Sequence, residues 1–149
     1  MKINQNIKNH LEYMGYAMVP DSDTFIFMKP GFPTMCIEQL SENRIVLNAR
    51  YPYNSNASNN ELGFLNYVNS LNQKTYIATF LKVRDSLAFC AMYTGLYSRT
   101  EFGQFVQSWE YDTTSLLDNE TETPFFLTED CPRIDSDLMN LAADKQFSA

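Results

Sequence analysis

The sequence predicts an α+β domain in which helices cover a five-stranded antiparallel sheet, in the order α-β-β-β-α-β-β-α followed by a C-terminal tail. Segments with apolar residues at helical spacing are interspersed with β-branched and aromatic runs. Short polar turns join the runs, as in the hairpins of an antiparallel sheet. Two Ser-x-x-Glu motifs precede apolar helical stripes, which is typical of helix N-termini. A chain of 149 residues matches one domain.

The first helix is predicted over residues 4–14. Ile7, Leu11 and Met14 lie three and four residues apart, which puts them on one side of a helix. Gly15 follows and supplies the stop, because glycine readily takes the left-handed conformation that ends helices.

Three strands are predicted next, over residues 24–28, 34–40 and 45–51. The first two are separated by the turn sequence Pro-Gly-Phe-Pro at residues 30–33. The third alternates apolar with mostly polar side chains, which indicates a strand with one buried face. Short connections predict that these strands form an antiparallel meander.

A second helix is predicted after a polar loop at residues 52–57. Ser58 and Glu61 fit a capping box, in which each side chain accepts a hydrogen bond from a free amide of the first turn. Phe64, Leu65, Val68 and Leu71 are predicted to form the buried face of this helix.

Two more strands are predicted over residues 75–84 and 87–97, and a third helix follows them. Both strands carry apolar residues on two faces, which is typical of a central strand or of a subunit contact. Ser98 and Glu101 form a second capping box. The apolar stripe behind it comprises Phe102, Phe105, Val106, Trp109 and Leu116.

Charge divides the chain into a nearly neutral body, residues 1–117, and an acidic tail, residues 118–149. The body carries 10 acidic and 9 basic residues, and the tail carries 8 acidic and 2 basic residues. In the tail, Ile134, Leu138, Leu141 and Ala142 recur at helical spacing around Asp135, which predicts a short docking helix.

Composition excludes several classes of function. The net charge of −7 disfavours nucleic acid and anionic lipid as partners. The chain has neither a run of about 20 apolar residues for a membrane span nor the apolar segment of a secretory signal. Cys36, Cys90 and Cys131 are odd in number and lack CxxC spacing, which predicts buried, reduced thiols in a cytoplasmic protein.

No catalytic, cofactor or metal site is predicted. His10 is the only histidine, and no residue that could form a catalytic pair with it lies in reach by sequence. The acidic runs at 118–122 and 135–137 lack the loop glycine and the closing glutamate of a calcium site. The glycines are isolated, so the chain has no phosphate-binding loop. We therefore expect a protein that is not an enzyme.

Apolar residues exceed what three helices can cover, which predicts a protein partner or a homodimer. The second helix, through Phe64, Val68 and Leu71, or an adjoining strand is the predicted dimer contact. Phe125, Phe126 and Leu127 form an apolar cluster between acidic residues. That cluster either docks on its own subunit or binds a partner. Docking on its own subunit is favoured, because leaving Phe-Phe-Leu exposed to water costs free energy.

The element order resembles the YbjN-type domain, whose fold is similar to class I type III secretion chaperones. The matching residues are Leu11-Glu-Tyr-Met-Gly-Tyr16, the acidic turn Asp21-Ser-Asp23, and Asn69-Ser-Leu-Asn72 leading into Thr75-Tyr-Ile-Ala-Thr-Phe80. The resemblance covers most of residues 5–117 and leaves out the tail. It implies a bacterial, non-enzymatic, dimeric protein, described in some relatives as a sensory transduction regulator, with no catalytic residues to carry over. Secretion chaperones of this fold hold an extended segment of a partner.

Two functions follow from these observations. The first is a regulatory or chaperone-like module that binds another protein. The alternative is an inhibitor or immunity protein whose acidic surface covers a basic partner such as a toxin.

Overall fold

Backbone hydrogen bonds arrange residues 4–19 and 25–128, the part of the chain that the computed structural model describes, around one antiparallel sheet. The predicted acidic turn at 21–23, Cys131 and the predicted helix at 134–142 lie outside these ranges. The elements are α1 (Gln5–Tyr13), β1 (Ala17–Met18), β2 (Phe25–Met28), β3 (Met35–Ser41), β4 (Arg44–Pro52), α2 (Ser55–Asn59), α3 (Glu61–Asn72), β5 (Thr79–Val83), β6 (Ser86–Thr94), α4 (Arg99–Asp118) and α5 (Glu122–Phe126).

The predicted α+β class and antiparallel sheet are confirmed, but the predicted number of strands is wrong. The sheet has six strands in the order β1-β2-β3-β4-β6-β5. The additional strand is β1, in which Ala17 pairs with Met28 and Met18 with Phe27. Two residues show no alternation of side chains, so only the pairing with β2 reveals this strand.

Helix α1 ends at the predicted glycine. Gly15 has a φ of 99°, which is strained for any residue with a side chain. Its amide donates to the carbonyl of Glu12, and the amide of Tyr16 donates to the carbonyl of Leu11 at 2.9 Å. This pair of reversed hydrogen bonds is a Schellman motif, which satisfies the last carbonyls of the helix and turns the chain towards β1.

The predicted capping box at Ser58 is wrong. Ser58 lies inside α2, a five-residue helix that replaces the end of the predicted loop. The N-cap of α3 is Asn60, whose side chain accepts from the amide of Gly63 at 3.1 Å. Serine and asparagine are equally good N-caps, so the sequence Ser-Asn-Asn offers three adjacent start positions and the packing selects the last.

The buried Asp112 of α4 explains why β5 is shorter than its predicted range of 75–84. Its carboxylate accepts hydrogen bonds from the amides of Tyr76, Ile77 and Ala78, each at 2.8 Å. These amides therefore point at a helix instead of a neighbouring strand, and the sheet pairing begins at Thr79.

Helix α4 forms as predicted and closes the core. The Ser98 side chain accepts from the amide of Glu101, as the capping box requires. Phe102, Phe105 and Trp109 are buried, and the Trp109 ring stacks on Phe89 with 5.1 Å between ring centroids. The apolar stripe of α4 thus packs across the middle of the sheet, as predicted.

We predict that Asp112→Ala lowers the free energy of unfolding by about 3–5 kcal/mol, because three backbone amides lose the buried carboxylate that accepts from all of them. A urea melt that follows the fluorescence of Trp109 measures the loss. Asp118→Ala removes an exposed carboxylate from the same helix and should change the stability by less than about 0.5 kcal/mol. Equal stability of the two variants would contradict the structural role of Asp112.

Candidate functional site

The feature of the structure best suited to binding is one face of the sheet. Along β4 and β6, alternate side chains enter the core beneath the helices, and the others are half-buried or exposed on the opposite side. We call that opposite side the open face. On β3 to β6 it comprises Cys36, Glu38, Arg44, Val46, Asn48, Arg50, Thr79, Leu81, Ala88, Cys90, Met92 and Thr94.

The strand register gives the open face two apolar pairs, which lie four residues or about 13 Å apart along β6. Val46 pairs with Met92, and Leu81 pairs with Ala88 in the neighbouring pair of strands. Met92 is 52% exposed, because β6 lies next to the edge of the sheet and β5 pairs with it only as far as Cys90. The open face therefore carries two small apolar areas that water reaches, with Asn48 and Cys90 between them.

The charges of the open face are mainly positive. Arg44 and Arg50 lie at the two ends of β4 and are exposed, and Glu38 on β3 is the acidic residue of this face. Within the described ranges, neither arginine lies within 4.0 Å of a carboxylate. In a chain of net charge −7, this face thus carries two guanidinium groups without an acidic partner.

The structure places the predicted partner-binding residues mostly inside the domain. Phe64, Val68, Leu71, Phe126 and Leu127 are buried in the core, and of the predicted set only Phe125 is exposed, at 48%. A buried side chain cannot contact a partner while the domain stays folded, so we do not carry these five forward. The two leucines that α3 leaves exposed are Leu62 and Leu65, so the predicted burial of Leu65 is wrong.

Residues 122–127 of the predicted tail dock on their own subunit. The Phe126 ring stacks on Tyr67 with 5.4 Å between centroids. The side-chain amide of Asn54 donates to the carbonyls of Phe125 and Leu127. The described chain thus continues past the predicted body boundary at 117 and packs against α2 and α3.

His10 has the surroundings of a packing residue. Its Nδ1 lies 3.0 Å from the hydroxyl of Tyr97, and its ring meets Phe102 edge-on at 5.3 Å. A Cβ at Gly103 would lie 3.3 Å from Nε2, so glycine lets α1 approach α4 closely. The imidazole thus joins α1 to α4.

The cavity beside His10 does not assemble a reactive pair. It measures about 220 Å³ and is lined by Asn6, Asn9, His10, Tyr13, Tyr97 and Arg99. This set supplies neither a carboxylate to orient the imidazole nor a nucleophile for it to activate. Burial, and secondly the Arg99 guanidinium, lower the pKa of His10 below its usual 6.5.

A second polar cluster, around Lys29, also has a structural role. Its ammonium lies 3.2 Å from the Glu110 carboxylate and 4.7 Å from the centre of the Phe32 ring. Burial strongly raises the pKa of the nearby Tyr16 hydroxyl, and the charge of Glu110 raises it further. A phenol held protonated is not a base, so we interpret this cluster as a tie between α4 and the loop after β2.

Two cysteines lie on the open face. Cys36 and Cys90 each pair with Asn48, one from either side, and both are half-buried rather than buried as predicted. Two strand spacings, about 9–10 Å, separate them, which is too far for a disulfide. Among the described residues, no three histidine, cysteine or acidic side chains are close enough to hold a metal ion.

No helix within the described ranges has the length and apolar character needed to cross a membrane.

Comparison with known proteins identifies the fold. No protein-family model and no curated protein matches the sequence. Among solved structures, the chain is similar to YbjN from E. coli, described as a candidate transcription regulator, with a TM-score of 0.63 and 15% sequence identity. The similarity covers 83% of this chain and 93% of YbjN. The chain has a YbjN-like fold, and the resemblance inferred from the sequence is confirmed at that level.

We predict that His10 makes folding depend on pH. The folded state disfavours the imidazolium, so unfolding takes up a proton once the pH falls below about 6.5. The contribution of His10 is complete above that pH and is lost as the pH falls towards the lowered folded-state pKa.

The variant His10→Gln should therefore show a flatter dependence of unfolding free energy on pH, over roughly pH 5–7. Urea melts at a series of pH values measure the slope. Asn9→Gln, an exposed change on the same helix, should keep the slope of the parent protein. If the slope of His10→Gln matches that of the parent protein, the imidazole protonates equally readily in the folded and unfolded states, which would contradict the prediction.

Proposed function

We propose that this protein is a non-enzymatic binding module of the regulator or chaperone-like kind, and that the open face is where it holds its protein partner. The observation that carries the proposal is that Met92 and Leu81 are exposed on this face, with Val46 and Ala88 as their strand partners and Arg44 and Arg50 on the same face. An exposed patch of this kind on a soluble domain is typical of an interaction site.

The composition of the open face suits a protein interface. Methionine and arginine are enriched at such interfaces, whereas lysine and most acidic residues are depleted. A flexible methionine adapts to different partners, and a guanidinium binds carboxylates in a fixed geometry. We therefore expect a partner segment that offers apolar side chains together with aspartate or glutamate.

The description of YbjN as a candidate transcription regulator supports the regulatory form of the proposal. For this chain, we propose regulation through protein contacts and not through nucleic acid. Binding to a phosphate backbone needs many clustered lysines and arginines, and the chain carries a net charge of −7.

The alternative of an acidic inhibitor receives less support. It requires an acidic recognition surface to cover a basic partner. On the open face the arginines outnumber Glu38, so this surface suits an acidic partner instead. Homodimerisation stays a prediction. On the helix side of the sheet, Leu62 and Leu65 are the exposed leucines of α3 through which a dimer could form.

We predict that Met92→Lys weakens partner binding about tenfold or more without unfolding the domain, because a charge replaces the most exposed apolar side chain of the proposed interface. Leu117→Lys is the matched control. Leu117 is 49% exposed against 52% for Met92, but it lies on α4, on the other side of the sheet.

Affinity capture from a lysate of the source organism should identify proteins that bind the parent chain and Leu117→Lys but not Met92→Lys. Dissociation constants measured with the purified partner then give the size of the effect. Capture of the same proteins at the same level by both variants would refute the open face as the binding surface.

A further inference from the structure

We propose that the C-terminal segment, residues 129–149, binds the open face of its own chain and is the intramolecular competitor of the partner. The contact itself follows from the course and the chemistry of the chain. Its regulatory meaning, that a partner must displace the segment, rests on the function proposed above.

The direction in which the described chain ends points to the open face. Leu127 bridges Tyr53 in antiparallel fashion, and the amide of Thr128 donates to the carbonyl of Pro52. Tyr53 donates its own amide towards β6, to Asp85, so Leu127 and Thr128 lie on the β3 side of β4. From there the chain runs back along β4 towards its N-terminal end.

The start of β3 lies in the path of that continuation. Cys36 pairs with Asn48, so Thr34 and Met35 flank β4 where a chain continuing past Thr128 would arrive. The chain must therefore leave the plane of the sheet after Thr128. The helix side holds the close-packed core, which leaves the open face as the accessible direction.

The segment is long enough to cover the open face. Arg50 and Arg44 mark the two ends of that face along β4, about 20 Å apart at strand geometry. Residues 129–133 can extend over about 17 Å. If residues 134–142 form the predicted helix, they add about 13 Å. Residues 143–149 remain beyond it.

The chemistry of the segment complements that of the face. Ile134, Leu138 and Leu141 recur at helical spacing and offer one apolar side to Val46, Leu81 and Met92. The acidic residues of the segment are Glu129, Asp130, Asp135, Asp137 and Asp144, against the two basic residues Arg133 and Lys145. The excess of carboxylates would meet Arg44 and Arg50, which have no acidic partner among the described residues.

A second copy of the chain fits the open face less well. A symmetric contact would place two arginine-bearing faces against each other, and Glu38 is the acidic residue that each face could offer in return. The C-terminal segment brings an excess of negative charge, and its tether keeps its effective concentration high.

Covering of the open face can be measured with two thiol reporters in the full-length chain. Met92→Cys puts a reporter on the open face, and Leu117→Cys puts one of similar exposure on α4. Each is made in a Cys131→Ser background. The rate of maleimide labelling at the reporter is followed by peptide mass spectrometry, and Trp109 fluorescence confirms that each variant is folded.

We expect labelling at position 92 to be about tenfold or more slower than at position 117, since a bound segment of this size excludes the reagent from the face. Leu138→Asp with Leu141→Asp should bring the rate at position 92 close to that at 117. Ser136→Asp with Asn140→Asp adds the same charge on the opposite side of the predicted helix and should leave the protection in place. Raising the salt concentration should weaken the protection partly, through screening of the arginines.

Equal rates at positions 92 and 117 in the parent chain would overturn the inference. Protection that rises with protein concentration, or that survives Leu138→Asp with Leu141→Asp, would assign the cover to a second copy and overturn it equally. The function itself is tested separately by Met92→Lys. If the reporter at position 92 is not protected, the effect of Met92→Lys on partner binding still stands. If the reporter is protected but Met92→Lys does not weaken binding of any partner, the proposed function is refuted and the contact of the C-terminal segment is not.

Discussion

The carboxylate of Asp112 connects the long helix α4 to the residues just before β5, the strand at one edge of the sheet. It is 1% exposed and accepts from three consecutive backbone amides just before β5. Because those amides are satisfied by a side chain, the chain can enter the sheet at Thr79 without an earlier pairing partner. Phe80 of β5 then stacks on Phe89, and Phe89 stacks on Trp109. The residue at which β5 begins therefore determines that Phe80 joins this stack of rings in the core.

Within the described residues, the helices cover one side of the sheet. The helices bury the alternate residues of β4 and β6 that point towards them. The remaining residues of the same strands face away from the core with aliphatic and sulfur-containing side chains, whereas most of the strand aromatics, such as Tyr51, Phe89 and Tyr93, lie in the core. A domain of this kind is stable by itself and still keeps apolar surface for contact with another chain.

The elements that the sequence predicted are those with a long periodic pattern. Helix α1 with its glycine stop, the twenty-residue α4 with its serine cap, and the main strands are all of this type. Strand β1, helix α2, the choice of Asn60 as a cap and the role of Asp112 depend on contacts between distant segments. Such contacts override local preference and leave no mark in a sequence window.

The candidate site was missed for a related reason. Phe64, Val68 and Leu71 were chosen because their spacing makes an apolar helical stripe, and the same stripe is what a core requires. The residues of the open face are scattered over four strands and become neighbours only through the register of β3, β4, β6 and β5. The alternation in residues 45–51 and the two-sided apolar pattern of 87–97 were the available signals. They indicated that a second face existed but not that the described helices leave it open.

The two borders of the sheet limit how it can pair with the sheet of another molecule. One border is β1, which is only two residues long. The other is β5, beside which α3 packs, with Lys82 of the strand paired to Glu61 of the helix. Short and charged borders give a neighbouring molecule little backbone to pair with, so growth of the sheet from chain to chain is suppressed. Chain-to-chain pairing of strands, which is the first step towards a fibril, is therefore restrained at both borders.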